Sequence, residues 1–253
     1  MPRIIAVTNQ KGGVGKTTTA VNLSACLAEA GFATLLFDLD PQANASSGLG
    51  VRVEGPEQSS YGVLSGAVSV AGATVATPVE GLSLVPACVD LAGAVVELAN
   101  ADKNEYVLDY ALHGHLDQYD FVFIDCPPSL GVLTVNALAA TREVIVPVQA
   151  EYYALEGLAQ LLETIALVRE RLNPSLEVLG VLLTMYDGRT RLSREVANEV
   201  RTHFADRVFA TTVPRNVRLS EAPSHGLPIS RYDASCLGCD AYFDLAKEVV
   251  SRD

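Results

Sequence analysis

The sequence predicts an α/β fold: a single domain over residues 1–253, built as a doubly wound, mostly parallel sheet with helices on both faces. Three observations carry that prediction. Continuous apolar runs of strand length alternate with helix-patterned segments, the signature of a parallel sheet covered on both sides. The first run, RIIAVT (3–8), opens into a glycine-rich turn followed by a helical pattern. Two later runs, ATLLFDLD (33–40) and DFVFID (120–125), end in aspartates, at the strand ends where open parallel sheets place their ligands.

The elements follow in order. After the strand at 3–8, the spacing of TTTAVNLSACLAEAG (17–31) predicts a helix with Gly31 as its stop. The strand at 33–40 is next. Residues 41–70 are small and polar, which predicts loops with a short helix near 60–67. Short strands are expected near 73–77 and 82–86, and a helix over 104–117. The pattern then sharpens: strand 120–125, helix 130–140, strand 143–149, a long helix near 154–172, strand 176–186, helix 193–204, strand 208–214 and a closing helix near 240–251.

At 253 residues the chain can bury a sizeable core. No apolar run reaches the roughly 18 residues of a membrane span, and no leader pattern is found, so a cytoplasmic protein is expected. Five scattered cysteines argue against a disulfide framework. The formal charge of −12 is uneven. Residues 43–165 hold three basic side chains against fifteen acidic ones, whereas residues 189–231 hold eight arginines against four acids. That arginine segment keeps a polyanion partner open despite the acidic total.

KGGVGKTTTA (11–20) lies between a strand and a helix and is a close variant of the phosphate-binding loop. Glycines let backbone N–H groups crowd around phosphate oxygens, and the helix N-terminus adds partial positive charge. Lys16 is then the phosphate cation and Thr17 a hydroxyl ligand for Mg²⁺. Asp38 and Asp40 lie two apart and project to one side. Asp125 closes a second apolar strand, where another carboxylate suits a metal held largely through water.

KGGVGKTTTAVNLS, FDLDPQANASSGLG, FIDCPPS, LLTMYDGRT and VPRNVRLSEAPSHGLPI resemble the ParA/Soj branch of the deviant Walker A ATPases, within P-loop NTPases, over residues 3–251. The resemblance implies an ATP- and Mg²⁺-dependent ATPase that segregates a chromosome or plasmid. It implies catalytic roles for Lys11, Lys16 and Asp40. Lys11 would be the signature lysine, reaching across a face-to-face homodimer to the partner's nucleotide, and Asp40 would orient the attacking water. ATP binding would fall to Lys11, Gly12, Gly13, Val14, Gly15, Lys16, Thr17 and Thr18, with Pro214 and Asn216 at the adenine. Thr17, Asp38 and Asp125 would serve the Mg²⁺ shell. The ATP dimer would bind double-stranded DNA without sequence preference, through Arg189, Arg218 and, as a weaker match, Arg252. Hydrolysis would be slow until a ParB-like partner acts, and the ATP form would associate with the nucleoid.

Two further readings remain. CLGC (236–239) has ligand-like spacing, so Cys236 and Cys239 raise the alternative of an iron–sulfur carrier ATPase. A MinD-like positioning ATPase is the other. Its membrane form calls for a basic amphipathic C-terminal helix, which LAKEVVSRD does not supply. No membrane partner is expected. Longer plasmid-type relatives carry an N-terminal helix-turn-helix, and this sequence starts at its first strand, so operator reading is not expected.

Overall fold

The computed structural model describes residues 2–53, 55–99, 104–151 and 154–252. Eight strands form one sheet: β1 (Arg3–Val7), β2 (Thr34–Asp38), β3 (Val75–Ala76), β4 (Leu82–Val85), β5 (Phe121–Asp125), β6 (Glu143–Gln149), β7 (Glu177–Tyr186) and β8 (Val208–Pro214). Their order is β3-β4-β2-β5-β1-β6-β7-β8. Every pairing is parallel except β3 with β4. The predicted doubly wound sheet is present, with one antiparallel edge.

Apolar strand residues alternate between two cores, as period-two geometry requires. Ala6, Leu35 and Ile124 face one cluster; Ile5, Val7, Leu36 and Phe123 face the other. The helices that close these faces are α1 (Lys16–Glu29), α2 (Asn44–Gly48), α3 (Ser60–Leu64), α4 (Val70–Ala73), α5 (Leu91–Ala99), α6 (Val107–Leu112), α7 (Val132–Ala140), α8 (Ala154–Arg171), α9 (Arg191–Phe204), α10 (Val217–Glu221), α11 (Ile229–Tyr232) and α12 (Leu237–Ser251). α1 and α12 lie together in the second core, where Tyr242 is 1% exposed.

α1 ends where Gly31 predicts. Gly31 has φ 94°, and the Phe32 amide donates to the Leu27 carbonyl at 3.1 Å, closing a Schellman turn. Other boundaries differ from expectation. The helix expected over 104–117 is a 3₁₀ turn and α6, and it stops at Leu112 because the chain turns at Gly114, φ 75°. α9 starts two residues early, where Thr190 accepts a hydrogen bond from the Ser193 amide. α12 begins at Leu237, so the last three residues of CLGC form its first turn. α5 was not anticipated at all. Its sequence, LAGAVVELA, is apolar nearly throughout and lacks the polar face that marks a surface helix.

Candidate active site

The site is assembled at the carboxyl ends of β1, β2 and β5, the three strands at the centre of the sheet. β1 leads into the loop before α1. Gly13 and Gly15 have φ 73° and 86°, in the left-handed region that favours glycine. α1 starts with no side-chain cap and no acid in its first turn. Its leading amides therefore point outward without an acceptor, which is the geometry of an anion cradle. Val14 anchors the loop from below. Its side chain is buried, and its carbonyl accepts a hydrogen bond from Thr184 Oγ1 on β7 at 2.8 Å. Only the backbone of Val14 is offered to a phosphate.

Lys16 is 6% exposed and donates from Nζ to the Lys11 carbonyl at 3.0 Å. The cation is thus folded back over its own loop. Burial lowers its pKa from the ordinary value, opposed by the carboxylates of Asp125 and Asp40. Lys11 is half-buried, and its amide donates to Asn9 Oδ1 at 3.0 Å. Among the described residues its ammonium has no hydrogen bond or ion pair. Gly12 and Gly13 are exposed, and a Cβ at Gly12 would meet nothing within 4 Å. The thread of this chain places no demand for glycine at position 12.

Three carboxylates lie beneath the loop. Asp38 and Asp125 are register partners on adjacent parallel strands, both fully buried. Like charges side by side repel. Asp38 is braced: Oδ2 accepts from the Ser46 amide at 2.9 Å and its hydroxyl at 2.7 Å, and Oδ1 accepts from the Asp40 amide at 3.2 Å. Burial raises its pKa, and these bonds pull back only part of the rise. Among the described residues, neither oxygen of Asp125 has a hydrogen-bond partner of good geometry. Burial raises the pKa of its carboxyl well above the usual range, the Asp38 charge raises it further, and neighbouring Thr17 and Lys16 offset this incompletely. An orphaned buried carboxylate calls for a cation. Thr17 and Asp125 fit a hydrated divalent ion; Asp38 fits a supporting position behind them. Asp40 is 5% exposed, with one oxygen accepting from the Gln42 amide at 2.9 Å.

The remaining predicted residues divide. Thr18 is half-buried at the helix start, and its carbonyl accepts from Asn22 Nδ2 at 2.7 Å. Pro214 ends β8 in register with Tyr186 of β7. Asn216 caps α10, its Oδ1 accepting from the Arg218 amide at 2.8 Å, which leaves the side-chain amide nitrogen for a ligand. Arg189 is 91% exposed and forks onto Asp187 at 2.8 and 2.9 Å. Arg218 is 53% exposed and pairs with Glu221 at 2.9 Å and Asp233 at 3.3 Å.

Arg252 has a different fate. Its guanidinium donates to the carbonyls of Leu179 and Val208 and to Glu248, and lies over the Phe209 ring at 4.2 Å. Those partners are near the starts of β7 and β8, whereas Arg189 and Arg218 follow their ends. Arg252 is therefore a staple inside the fold, its donors spent at the end of the sheet opposite Arg189 and Arg218. The arginine segment is also not one surface. Arg201 and Arg207 precede β8, and Arg231 pairs with Glu29 at the far end of α1. Five arginines remain at the carboxyl end: Arg189, Arg191, Arg194, Arg215 and Arg218.

Sequence reasoning missed Thr184, Ser46 and Asn9. Thr184 reaches Val14 across 170 positions, a distance no local spacing reports. Ser46 bonds Asp38 while its Oγ accepts from the Ala87 amide at 2.9 Å.

The sequence matches the AAA domain family over residues 2–178. It is 55% identical over 252 residues to the sporulation initiation inhibitor protein Soj of Bacillus subtilis, covering 100% of both chains. It is 52% identical over 253 residues to the chromosome-partitioning ATPase Soj of Treponema pallidum, covering 100% of this chain and 99% of that one. Among solved structures, it resembles cobyrinic acid a,c-diamide synthase from Mycobacterium smegmatis with bound ADP and magnesium. The TM-score is 0.86 at 41% identity, covering 99% of this chain and 94% of that one. The Soj relatives share more sequence than the structure named for a synthase, and they match end to end. The phosphate cradle, the strand-end carboxylates and these full-length matches place the chain in the Soj/ParA family of chromosome-partitioning ATPases.

Proposed function

We propose that this ATPase works as an ATP-dependent sandwich dimer that binds duplex DNA without reading its sequence and is reset by a ParB-like partner. The observation that carries the reading is the pairing of Lys11 with Gly12. The Lys11 ammonium has no partner among the described residues, and Gly12 is small without need of its own chain. Both facts are accounted for when a second copy brings its loop close and Lys11 reaches the nucleotide opposite.

Within each protomer, the loop amides from Gly12 to Thr18 bind the phosphates. Lys16 leaves the Lys11 carbonyl to neutralise them, and Pro214 and Asn216 border the base. Thr17 and Asp125 hold Mg²⁺, with Asp38 bracing from behind; when bound, the ion neutralises charge on the phosphate oxygens. Asp40 orients the attacking water. Lys11 from the partner stabilises charge that grows in transfer. Domain-wide, residues 1–253 act as one unit.

DNA binding rests on Arg189 and Arg218. Their exposed ion pairs exchange readily for phosphate contacts. Dimerisation doubles the patch, so an acidic chain gains affinity only in the ATP state, which is then nucleoid-associated. The iron–sulfur alternative loses support because Cys239 is 1% exposed, out of reach of a cluster shared between copies. No helix among the described residues is long and apolar enough to cross a membrane.

The test is duplex binding with no nucleotide, ADP, ATP and a non-hydrolysable analogue, on unrelated sequences at several salt concentrations. ATP-specific, sequence-insensitive and salt-sensitive binding is expected. Equal binding by the nucleotide-free chain, or strong preference for one duplex, would sink the reading.

A further inference from the structure

CLGC is the one motif the partitioning chemistry does not use. Among the described residues, no group of three or more His, Cys, Asp or Glu is placed to hold a metal. The two thiols nevertheless occupy an organised position. Cys236 is the N-cap of the 15-residue helix α12 and is half-exposed; Cys239 lies one turn inside and is 1% exposed. The Cys239 amide donates to the Cys236 carbonyl at 2.9 Å. Residues three apart on a helical turn bring their Cβ atoms to about 5–6 Å, so the turn must close by about 1–2 Å to reach disulfide geometry.

The surroundings connect this turn to the DNA-facing shoulder. The Cys236 amide donates to the Asp233 carbonyl at 3.3 Å, and the Asp233 carboxylate holds Arg218 Nε at 3.3 Å. Gly238, inside the motif, lies against Leu219 of α10: a Cβ there would meet Leu219 Cγ at 2.8 Å. Any tightening of the first turn of α12 therefore moves the neighbours of Arg218 on two sides.

We propose that Cys236 and Cys239 are a reversible dithiol–disulfide site that transmits thiol redox state to the helix carrying Arg218. The oxidant is a low-molecular-weight disulfide. The Cys236 thiolate attacks one of its sulfurs, forming a mixed disulfide and expelling one thiol. Cys239 then gives up its proton and attacks Cys236 Sγ, expelling the second thiol. Two protein thiols lose two electrons and two protons, and the small disulfide becomes two thiols. The order within the pair follows from access, because Cys236 is half-exposed and Cys239 is buried. Burial raises the pKa of the Cys239 thiol to about 11, with Cys236 as the next cause, so its attack on the mixed disulfide is the slower step. Cys26 is the competitor. It is fully buried on α1 and senses Cys239, but burial raises the pKa of its thiol well above the ordinary value.

The test equilibrates the whole protein across ratios of reduced to oxidised glutathione, quenches in acid, denatures and alkylates with a mass tag. The reduced chain carries five cysteines. The expected change is the joint loss of two tags, with a 236–239 crosslink in the peptide map. Cys236→Ser should leave Cys239 tagged, and Cys26→Ala should still lose both the 236 and 239 tags; Cys88, also half-exposed, is scored separately in the peptide map. A lasting glutathione adduct on Cys236, a Cys26–Cys239 crosslink, or no tag loss at 236 and 239 in the wild type overturns the proposal. A second arm rests on the DNA reading above. Oxidation should lower the salt slope of DNA binding by the ATP form, by about one per displaced arginine, and Cys236→Ser should abolish the effect. An unchanged slope in the oxidised protein overturns the link to Arg218. If the reduced protein never binds DNA, the DNA reading fails, and the tag count decides the dithiol independently.

Discussion

The centre of the sheet and its β7–β8 shoulder handle charge in opposite ways. At the centre, Asp38, Asp125, Asp40 and Lys16 are all 6% exposed or less, and the loop above them is tied to β7 from 170 residues away. At the shoulder, Arg189 and Arg218 stand 91% and 53% exposed, pairing with Asp187 and with Glu221 and Asp233. Buried charge in poor balance waits for a specific ion, and removing one member leaves the others stranded. Exposed pairs exchange partners at little cost. The lesson is a difference in kind: the centre is built to select a ligand by geometry, whereas the exposed charges of the shoulder can exchange partners.

Breaking the centre should have the largest effects. Lys16→Ala removes the only ammonium bonded inside the loop among the described residues. ATP affinity should fall by about 3–5 kcal/mol, read by calorimetry, with thermal melting run alongside to separate loss of fold. Asp40→Ala should retain nucleotide while turnover drops by about 10²–10⁴-fold. If affinity collapses together with turnover, Asp40 is chiefly a metal-shell residue.

Gly12→Val sharpens the boundary between one chain and two. A Cβ at this position meets nothing of its own chain, so the fold and ATP binding should be preserved. Light scattering with ATP should find a monomer; a normal ATP dimer would refute close approach of the two loops.

At the shoulder, Arg218→Glu should abolish DNA binding and leave ATP-dependent dimerisation intact, with Arg189→Glu acting alike but more weakly. Arg252→Ala should do the reverse. It frees the carbonyls of Leu179 and Val208 and should cost about 1–3 kcal/mol of stability with little change in the salt slope of DNA binding. The smallest effect concerns Glu248. Burial alone would raise its pKa, but the amides of Ala210 and Thr211 and the Arg252 guanidinium outweigh that and lower it from 4.5. Its stabilisation is therefore complete above pH 4.5 and is lost as pH falls through the lower folded value. Acid melts of Glu248→Gln should lack that component.

Much of the centre was legible because its signals are local. A strand, a glycine turn and a helix start lie in one stretch of sequence, and β5 announces itself as five buried residues ending in a carboxylate. What escaped is what depends on distant packing. Ser46 and Thr184 look like ordinary polar residues until the fold carries them to Asp38 and Val14. Arg252 reads as a loose terminal cation, yet tertiary contacts consume its donors. α2, α4, α10 and α11 have five residues or fewer, too short to propagate a helical pattern and dependent on packing and local caps. The arginine count misled because composition is blind to which end of the sheet a residue occupies.

The Glu248–Arg252 pair has a bearing on how copies of this chain can meet. β8 is an outer strand, and an outer strand exposes amides that invite another chain to extend the sheet. Here the register between β7 and β8 slips over the middle of β8, and Glu248 accepts from both Ala210 and Thr211. The opposite margin, β3, has only two residues. Both margins are thus blunted against sheet-to-sheet growth. With the sheet margins closed, any meeting of two copies is left to surfaces other than the strand edges.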